Sequence, residues 1–244
     1  MAIYDTKQLS DSLSEQRQTT HSVQAMHLAI LKDVYLWMCS ALVISGLTAL
    51  YVSVNPNILR IVFANSMSLI LMFLAQLGLI WFISAKINSI SSTVATILFI
   101  VYSILTGVTL SSIFLVFTHE SIASVFFITA GTFGGISLYG YTTKKDLSTW
   151  GSYLIMGLIG LIIASVVNWF LNSEMLYWIV SYVGVLIFIG LTMYDTQKIK
   201  QLSYQYSGED DETMNKVALL GAITLYLDFI NLFLYLLRIF GKRK

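Results

Sequence analysis

The stretch Val217–Phe240 reads VALLGAITLYLDFINLFLYLLRIF, and its only charged residues are Asp228 and Arg238. A helix needs about 20 mainly apolar residues to cross a bilayer, so this stretch predicts a membrane-spanning helix. Six earlier stretches have the same character: Val34–Val54, Val62–Ile83, Thr93–Phe117, Ile122–Tyr141, Tyr153–Leu171 and Met175–Gln197. The sequence therefore predicts an all-α polytopic membrane protein, a bundle of seven transmembrane helices.

The composition excludes the common soluble classes. Of the 244 residues, 57% are hydrophobic and 11% are charged, whereas soluble domains average about 25% charged residues. A disulfide scaffold is excluded because Cys39 is the only cysteine. The net charge of +1 gives no electrostatic basis for binding nucleic acid. The lipid bilayer is therefore the first partner that we expect.

Residues 1–33 differ from the rest because they are polar and rich in Ser, Gln and Thr. They lack the apolar stretch and the small-residue cleavage site of a signal peptide. We expect a polar N-terminal tail over residues 1–33, either mobile or partner-binding, and a seven-helix transmembrane domain over residues 34–244.

Lysine and arginine predict the orientation, because they concentrate in cytoplasmic loops. With alternating spans, one side carries Lys7, Arg17, Lys32, Lys86, Lys144, Lys145, Lys198, Lys200 and Lys216. The other side carries Arg60 and, at the end of the chain, Arg238, Lys242, Arg243 and Lys244. The amino terminus is therefore predicted to be cytoplasmic. The basic carboxyl end opposes this trend, and a last segment that enters and returns is the alternative to seven crossings.

Small residues predict close helix contacts in lipid. Gly131 and Gly135 form such a pair in the fourth predicted span, and Gly160 and Ala164 form another in the fifth.

Two acidic residues lie inside predicted spans. Asp195 is near the end of the sixth, and Asp228 is midway along the seventh. An Asp at the centre of a membrane helix costs about 2.5–3.5 kcal/mol, so it needs a partner or a wet cavity. The midpoint between the two falls at Asp211 and Glu212, next to Gly208, where a helical hairpin can turn. Such a hairpin brings both carboxyl groups to a similar depth if the sixth helix continues past Gln197; their contact stays open.

If the two carboxylates meet about 4 Å apart, they repel by roughly 4 kcal/mol at an effective dielectric of 20. We therefore expect the pair to share one proton, or to bind a hard cation in its place. Hydrogen bonds are expected from nearby polar side chains: Tyr194, Thr196, Gln197, Tyr226 and Asn231. A protonated pair that only locks two helices together is the structural alternative.

The motifs of membrane enzymes are absent from the sequence. Intramembrane aspartyl proteases carry Gly-x-Gly-Asp at the second acid, whereas Asp228 follows Tyr226 and Leu227. The three histidines (His21, His27 and His119) fall outside the predicted spans, which disfavours a serine protease or a zinc enzyme within the membrane. We expect neither an enzyme nor a cofactor.

Four segments resemble those of the transmembrane Bax inhibitor motif family: Tyr194-Asp195-Thr196-Gln197, Leu225–Phe233, Thr106–Ser111 and Lys144–Ser148. The resemblance covers all seven predicted spans, and the segment around Asp228 is its most specific part. The polar tail and the short loops are similar to the bacterial branch, which implies the bacterial cytoplasmic (inner) membrane.

That resemblance implies a bundle with the last helix central and a pH-sensitive calcium leak. Aspartates matching Asp195 and Asp228 would sense protons and gate the path, with calcium as the transported ion and these residues as its candidate ligands. Some relatives carry a charged latch in the second helix, where this sequence offers only Gln76 and Lys86.

The resemblance also implies contact with a membrane-bound ATP-dependent protease in bacteria. A non-conducting regulator that binds such a partner is therefore the alternative function. A proton-coupled transporter is disfavoured, because the sequence has no evident inverted repeat or broken helix pair.

Overall fold

The computed structural model describes the backbone of residues 2–63 and 66–244, and the side chains of residues 23–63 and 67–244. Regular structure in these residues is helical, apart from one isolated β-bridge between Phe117 and Arg243. The helices are α1 (Ala2–Ser53), α2 (Pro56–Phe63), α3 (Ser66–Lys86), α4 (Ser92–Leu110), α5 (Ile113–Val116), α6 (His119–Thr142), α7 (Ser148–Leu171), α8 (Glu174–Gln205) and α9 (Asp211–Phe240).

Seven segments of the described chain are long and apolar enough to cross a membrane: Val23–Ser53, Met67–Lys86, Ser92–Val116, His119–Thr142, Ser148–Leu171, Glu174–Gln205 and Asp211–Phe240. This confirms the predicted all-α polytopic bundle, and the chain is a multi-pass membrane protein. Because the spans alternate in direction, the end of α9 lies on the face opposite the start of α1. We call the face with the end of α9 the C-terminal face, and the other the hairpin face.

The first span begins earlier than the sequence predicted. It starts at Val23 instead of Val34, and it places His27 inside a candidate span with a fully buried side chain. The prediction that His27 lies outside the spans was therefore wrong. Part of the predicted polar tail (residues 1–22, with Lys7, Arg17 and His21) lies outside the residues whose side chains are described.

The helices α8 and α9 form the predicted hairpin. As the depth argument required, α8 continues past Gln197. Gly208 has a φ of 103°, a left-handed conformation that glycine adopts readily. Asp210 then caps α9, because its Oδ1 accepts a hydrogen bond from the Thr213 backbone N–H at 2.8 Å. The turn thus precedes the midpoint of the two aspartates, so Asp228 lies further from the turn than Asp195 does.

The last helix is packed on several sides. It contacts α1, α4, α6 and α8. In the 18-residue apolar stretch of α9, 67% of the residues are buried, against 6% in the corresponding stretches of α3 and α7. Asp228, midway along α9, is therefore buried among the neighbouring helices.

The glycines of the two predicted small-residue pairs make no close helix contact among the described residues, whereas Ala164 packs against the core. A Cβ added at Gly131, Gly135 or Gly160 would meet no described atom within 4 Å. The close approaches occur at other glycines, such as Gly107 against the backbone of Ser45. The spacing of small residues did not identify the glycines at close contacts, because spacing alone does not show which face of a helix meets a neighbour.

Candidate functional site

Asp228 is a buried carboxyl group midway along α9. Its residue is 5% exposed, because α9 is enclosed by four neighbouring helices. Among the described residues no N–H or hydroxyl donor reaches its Oδ2 atom. A buried carboxylate oxygen without a donor is costly, so the group that faces it decides its chemistry.

The group that faces Asp228 is the carboxyl of Asp195. Asp195 is half-buried on α8, and the two side chains lie within hydrogen-bonding reach of each other. The structure therefore brings together the two acids whose contact the sequence left open. Both carboxylates are acceptors when ionised, so a hydrogen bond between them requires a proton on one of the two.

One cation acts on this pair from the same helix. Lys198 lies one turn beyond Asp195, and its charge acts electrostatically on the Asp195 carboxyl. The Lys198 side chain is exposed, and its Nζ lies 5.9 Å from the centroid of the Tyr194 ring. Asp195 is thus the member of the pair that is closer to charge and water, while Asp228 is the enclosed member.

Gln197 and Thr196 support other elements. Gln197 Oε1 accepts a hydrogen bond from the Leu147 backbone N–H, and its Nε2 donates to the Lys145 carbonyl, both at 2.8 Å. Gln197 therefore clamps the loop between α6 and α7. The Thr196 hydroxyl donates to Ser137 on α6 at 3.5 Å, a long hydrogen bond.

Three further residues that were predicted to support the aspartate pair contact other parts of the protein. Tyr194 packs against α7, where a Cβ at Gly151 would lie 2.5 Å from the ring. Asn231 donates to the Leu227 carbonyl of its own helix at 2.8 Å. The Tyr226 hydroxyl lies 2.6 Å from the Ser45 hydroxyl on α1.

Neither candidate latch in α3 contacts the pair in the described residues. Gln76 Nε2 donates to the Thr109 hydroxyl on α4 at 2.6 Å. The Lys86 side chain is exposed at the end of α3. The Gln76 bond ties α3 to α4, which is the helix that α3 packs against.

A polar cavity of about 260 Å³ opens near Asp195 on the hairpin face. Its lining includes Tyr194, Gln197, Lys198 and Gln201 from α8, with Ser148 from the start of α7. Asp195 does not line this cavity itself, although Tyr194 and Lys198 of the same helix turn do.

The sequence missed one buried polar cluster. His27 Nδ1 lies 2.5 Å from the Ser203 hydroxyl, and the His27 ring stacks on Tyr204 with centroids 3.5 Å apart. The His27 Nε2 atom is buried and has no hydrogen-bond partner among the described residues. The sequence does contain evidence for this longer first span, because apolar residues already occur before Lys32 and Asp33. These two charged residues led to a predicted start at Val34.

Comparison with known proteins finds one matching family model and several bacterial relatives. A family model described as inhibitor of apoptosis-promoting Bax1 matches residues 27–244. Inner membrane protein YbhL of Escherichia coli strain K12 is 49% identical over 235 residues, covering 96% of this chain and 97% of YbhL. An uncharacterised protein of Borreliella burgdorferi is 52% identical over 214 residues (88% and 92% of the two chains). One of Deinococcus radiodurans is 37% identical over 209 residues (86% and 88%).

Proposed function

The chain belongs to the Bax inhibitor family, and from this premise we propose that it is a pH-sensitive, calcium-permeable leak channel of a bacterial inner membrane. The membrane assignment rests on the similarity to the E. coli inner membrane protein YbhL. The observation that carries the function is the enclosed carboxyl of Asp228, which faces Asp195 and whose Oδ2 has no hydrogen-bond partner among the described residues.

The gate follows from the charge of this pair. With one shared proton, the carboxyl groups hydrogen-bond and hold α8 against α9. Without that proton, two unit charges about 4 Å apart repel by roughly 4 kcal/mol at an effective dielectric of 20. Loss of the proton therefore favours separation of α8 and α9 at this depth. Acid closes the path in this mechanism, and a rise in pH opens it.

The pair suits an ion that passes through. Ca²⁺ prefers six to eight oxygen ligands, and two carboxylates supply at most four. The described residues contain no group of three or more His, Cys, Asp or Glu that could hold a metal ion. Asp195 and Asp228 would therefore bind calcium briefly, with water completing its shell. The polar cavity lined by Gln197, Lys198 and Gln201 lies on the same helix as Asp195 and would supply that water from the hairpin face.

The test is calcium flux through purified protein in liposomes that contain a calcium-sensitive dye, measured across pH. We expect flux from the unmodified protein to fall as the pH falls. Asp195→Asn and Asp228→Asn remove the ionisable groups, so each should abolish the pH response. Asp211→Asn is the matched control, because Asp211 is an exposed acid at the start of α9.

Flux and pH response that are unchanged in both aspartate variants would refute the gating role. No flux at any pH, together with capture of a membrane-bound ATP-dependent protease, would favour the non-conducting regulator instead.

A further inference from the structure

The basic carboxyl end of the chain forms part of a cavity on the C-terminal face. The cavity has a volume of about 530 Å³, within the range of ligand pockets. Arg238 and Arg243 line it together with the end of α7 and the start of α8. It lies at the opposite end of the bundle from the hairpin between α8 and α9.

The chain after α9 is held in place by backbone hydrogen bonds. The Thr118 backbone N–H donates to the Lys242 carbonyl, and the Lys244 N–H donates to the Val116 carbonyl, both at 3.0 Å. The Lys242 N–H also donates to the Ser121 hydroxyl at 2.8 Å. Arg243 thus projects from a fixed backbone.

Both arginines are gathered at one tyrosine. The Cζ atoms of Arg238 and Arg243 lie 5.7 and 5.8 Å from the centroid of the Tyr177 ring. One guanidinium nitrogen of Arg243 also donates to the Tyr177 hydroxyl at 3.2 Å. Two cations held at one ring repel each other, and an anion between them would remove that cost.

No carboxylate of the described side chains neutralises these guanidinium groups. The ion pair that these side chains form joins Lys216 to Glu212, on the hairpin face. Glu174 lines the same cavity, yet it makes no ion pair with Arg238 or Arg243. The charged groups of the lining therefore sum to a net positive charge.

The depth of the cavity fits the phosphate layer of a bilayer. The neighbouring candidate spans end at Leu171 and Phe240 and begin at Glu174. Arg238 lies about 3 Å along the helix from the end of α9, given a rise of 1.5 Å per residue. Trp178 and Tyr177 are the aromatic types found at this interface.

We propose that this cavity binds the phosphate group of an anionic phospholipid, with Arg238 and Arg243 as the cations that hold it. Arginine suits the role because its planar guanidinium matches phosphate oxygens two at a time. The amide groups of Asn168 and Asn172 line the same cavity and offer neutral donors to the headgroup. The site also accounts for a basic cluster on the face where the positive-inside trend predicts few cations.

The test is native mass spectrometry of the full chain in detergent, titrated with phosphatidylglycerol or phosphatidylcholine. We expect the unmodified protein to retain phosphatidylglycerol about tenfold more tightly, and Arg238→Gln and Arg243→Gln each to remove about tenfold of that retention. Arg243→Lys keeps the charge and should lose less. Lys244→Gln is the control, because the Lys244 ammonium donates to the Phe114 carbonyl and does not line the cavity.

The comparison of Arg243→Gln with Lys244→Gln distinguishes a specific phosphate site from nonspecific anchoring in the headgroups. Equal retention in Arg243→Gln and Lys244→Gln would overturn it, since arginines that only anchor the helix end in headgroups would behave in that way. Displacement of phosphatidylglycerol by glycerol 3-phosphate or inorganic phosphate would support the phosphate site and identify a water-soluble source. Thermal unfolding of each variant verifies that it is folded.

Discussion

His27 and Ser203 are joined by a hydrogen bond that ties α1 to α8, with 2.5 Å between His27 Nδ1 and the Ser203 hydroxyl oxygen. The Ser203 hydroxyl donates its own hydrogen to the Lys200 carbonyl at 2.8 Å. The hydrogen between His27 and Ser203 therefore belongs to Nδ1, which fixes the tautomer of a neutral His27 ring.

We expect Ser203→Ala to destabilise the protein by about 1–3 kcal/mol, because it leaves the buried Nδ1–H without an acceptor. Thermal unfolding in detergent, followed by tryptophan fluorescence, measures this loss. Ser207→Ala is the control, since its hydroxyl donates only to the nearby Tyr204 carbonyl. Equal melting temperatures for the two variants would contradict the role of Ser203.

Gly107 allows α4 to approach α1. A Cβ at this position would lie 2.5 Å from the Ser45 carbonyl oxygen and 2.6 Å from the Thr48 Cβ. Gly107→Ala should therefore cost about 1–3 kcal/mol by overpacking. Gly131→Ala, in open space on α6, should be neutral or stabilise by up to about 1 kcal/mol, because alanine favours the helix. The paired melting temperatures test both expectations, and an unchanged Gly107→Ala would argue against this contact.

Gln197 holds the loop between α6 and α7 through both ends of its amide. Gln197→Ala removes both hydrogen bonds, so we expect the loop to open about tenfold more often, as a loss of roughly 1.4 kcal/mol implies. Limited trypsin digestion measures the opening, since Lys144 and Lys145 lie in this loop. Gln201→Ala changes an exposed glutamine of the same helix, and trypsin should cleave this variant at the same rate as the unmodified protein. Equal cleavage rates in the two variants would show that Gln197 does not restrain the loop.

Asp210 gives the hairpin a pH-dependent cap. The hydrogen bonds from Thr213 hold the pKa of this carboxyl below its usual value of 3.8. Because the folded state lowers the pKa, the stabilisation is complete above that usual value and is lost as the pH falls through the lowered one.

Asp210→Asn removes this titration while keeping a capping side chain. The melting temperature of the unmodified protein should exceed that of Asp210→Asn near neutral pH, and the difference should shrink in acid. A constant difference at every pH would contradict the assignment. Asp211→Asn, one residue later, provides the control.

The sequence predicts the depth of groups along the membrane well. Lipid imposes the length of each span, so the apolar stretches identify the helices. Gly208 and Asp210 carry helix-end chemistry that can be read directly, and the hairpin follows from it. The similar depth of Asp195 and Asp228 could therefore be predicted before any coordinates.

Rotation about each helix axis could not be predicted. Tyr194, Gln197 and Asn231 were expected to serve the pair, yet packing turns Tyr194 toward α7 and Gln197 toward a loop. His27 was missed for a different reason, because Lys32 and Asp33 interrupt the apolar run after it. Long side chains such as lysine can extend from a helix toward water, so two charges near its end do not mark where a span begins.

The length of the short connection between α8 and α9 sets which residues of the two helices face each other. Each residue of an α-helix adds 1.5 Å and about 100° of rotation. If one residue were inserted directly after Asp210 and the helix still began at the same point, every later residue of α9 would move one position along it, and Asp228 would rotate by about 100°, away from Asp195. The contact between two acids deep in the bilayer therefore depends on the length of a loop near the membrane surface.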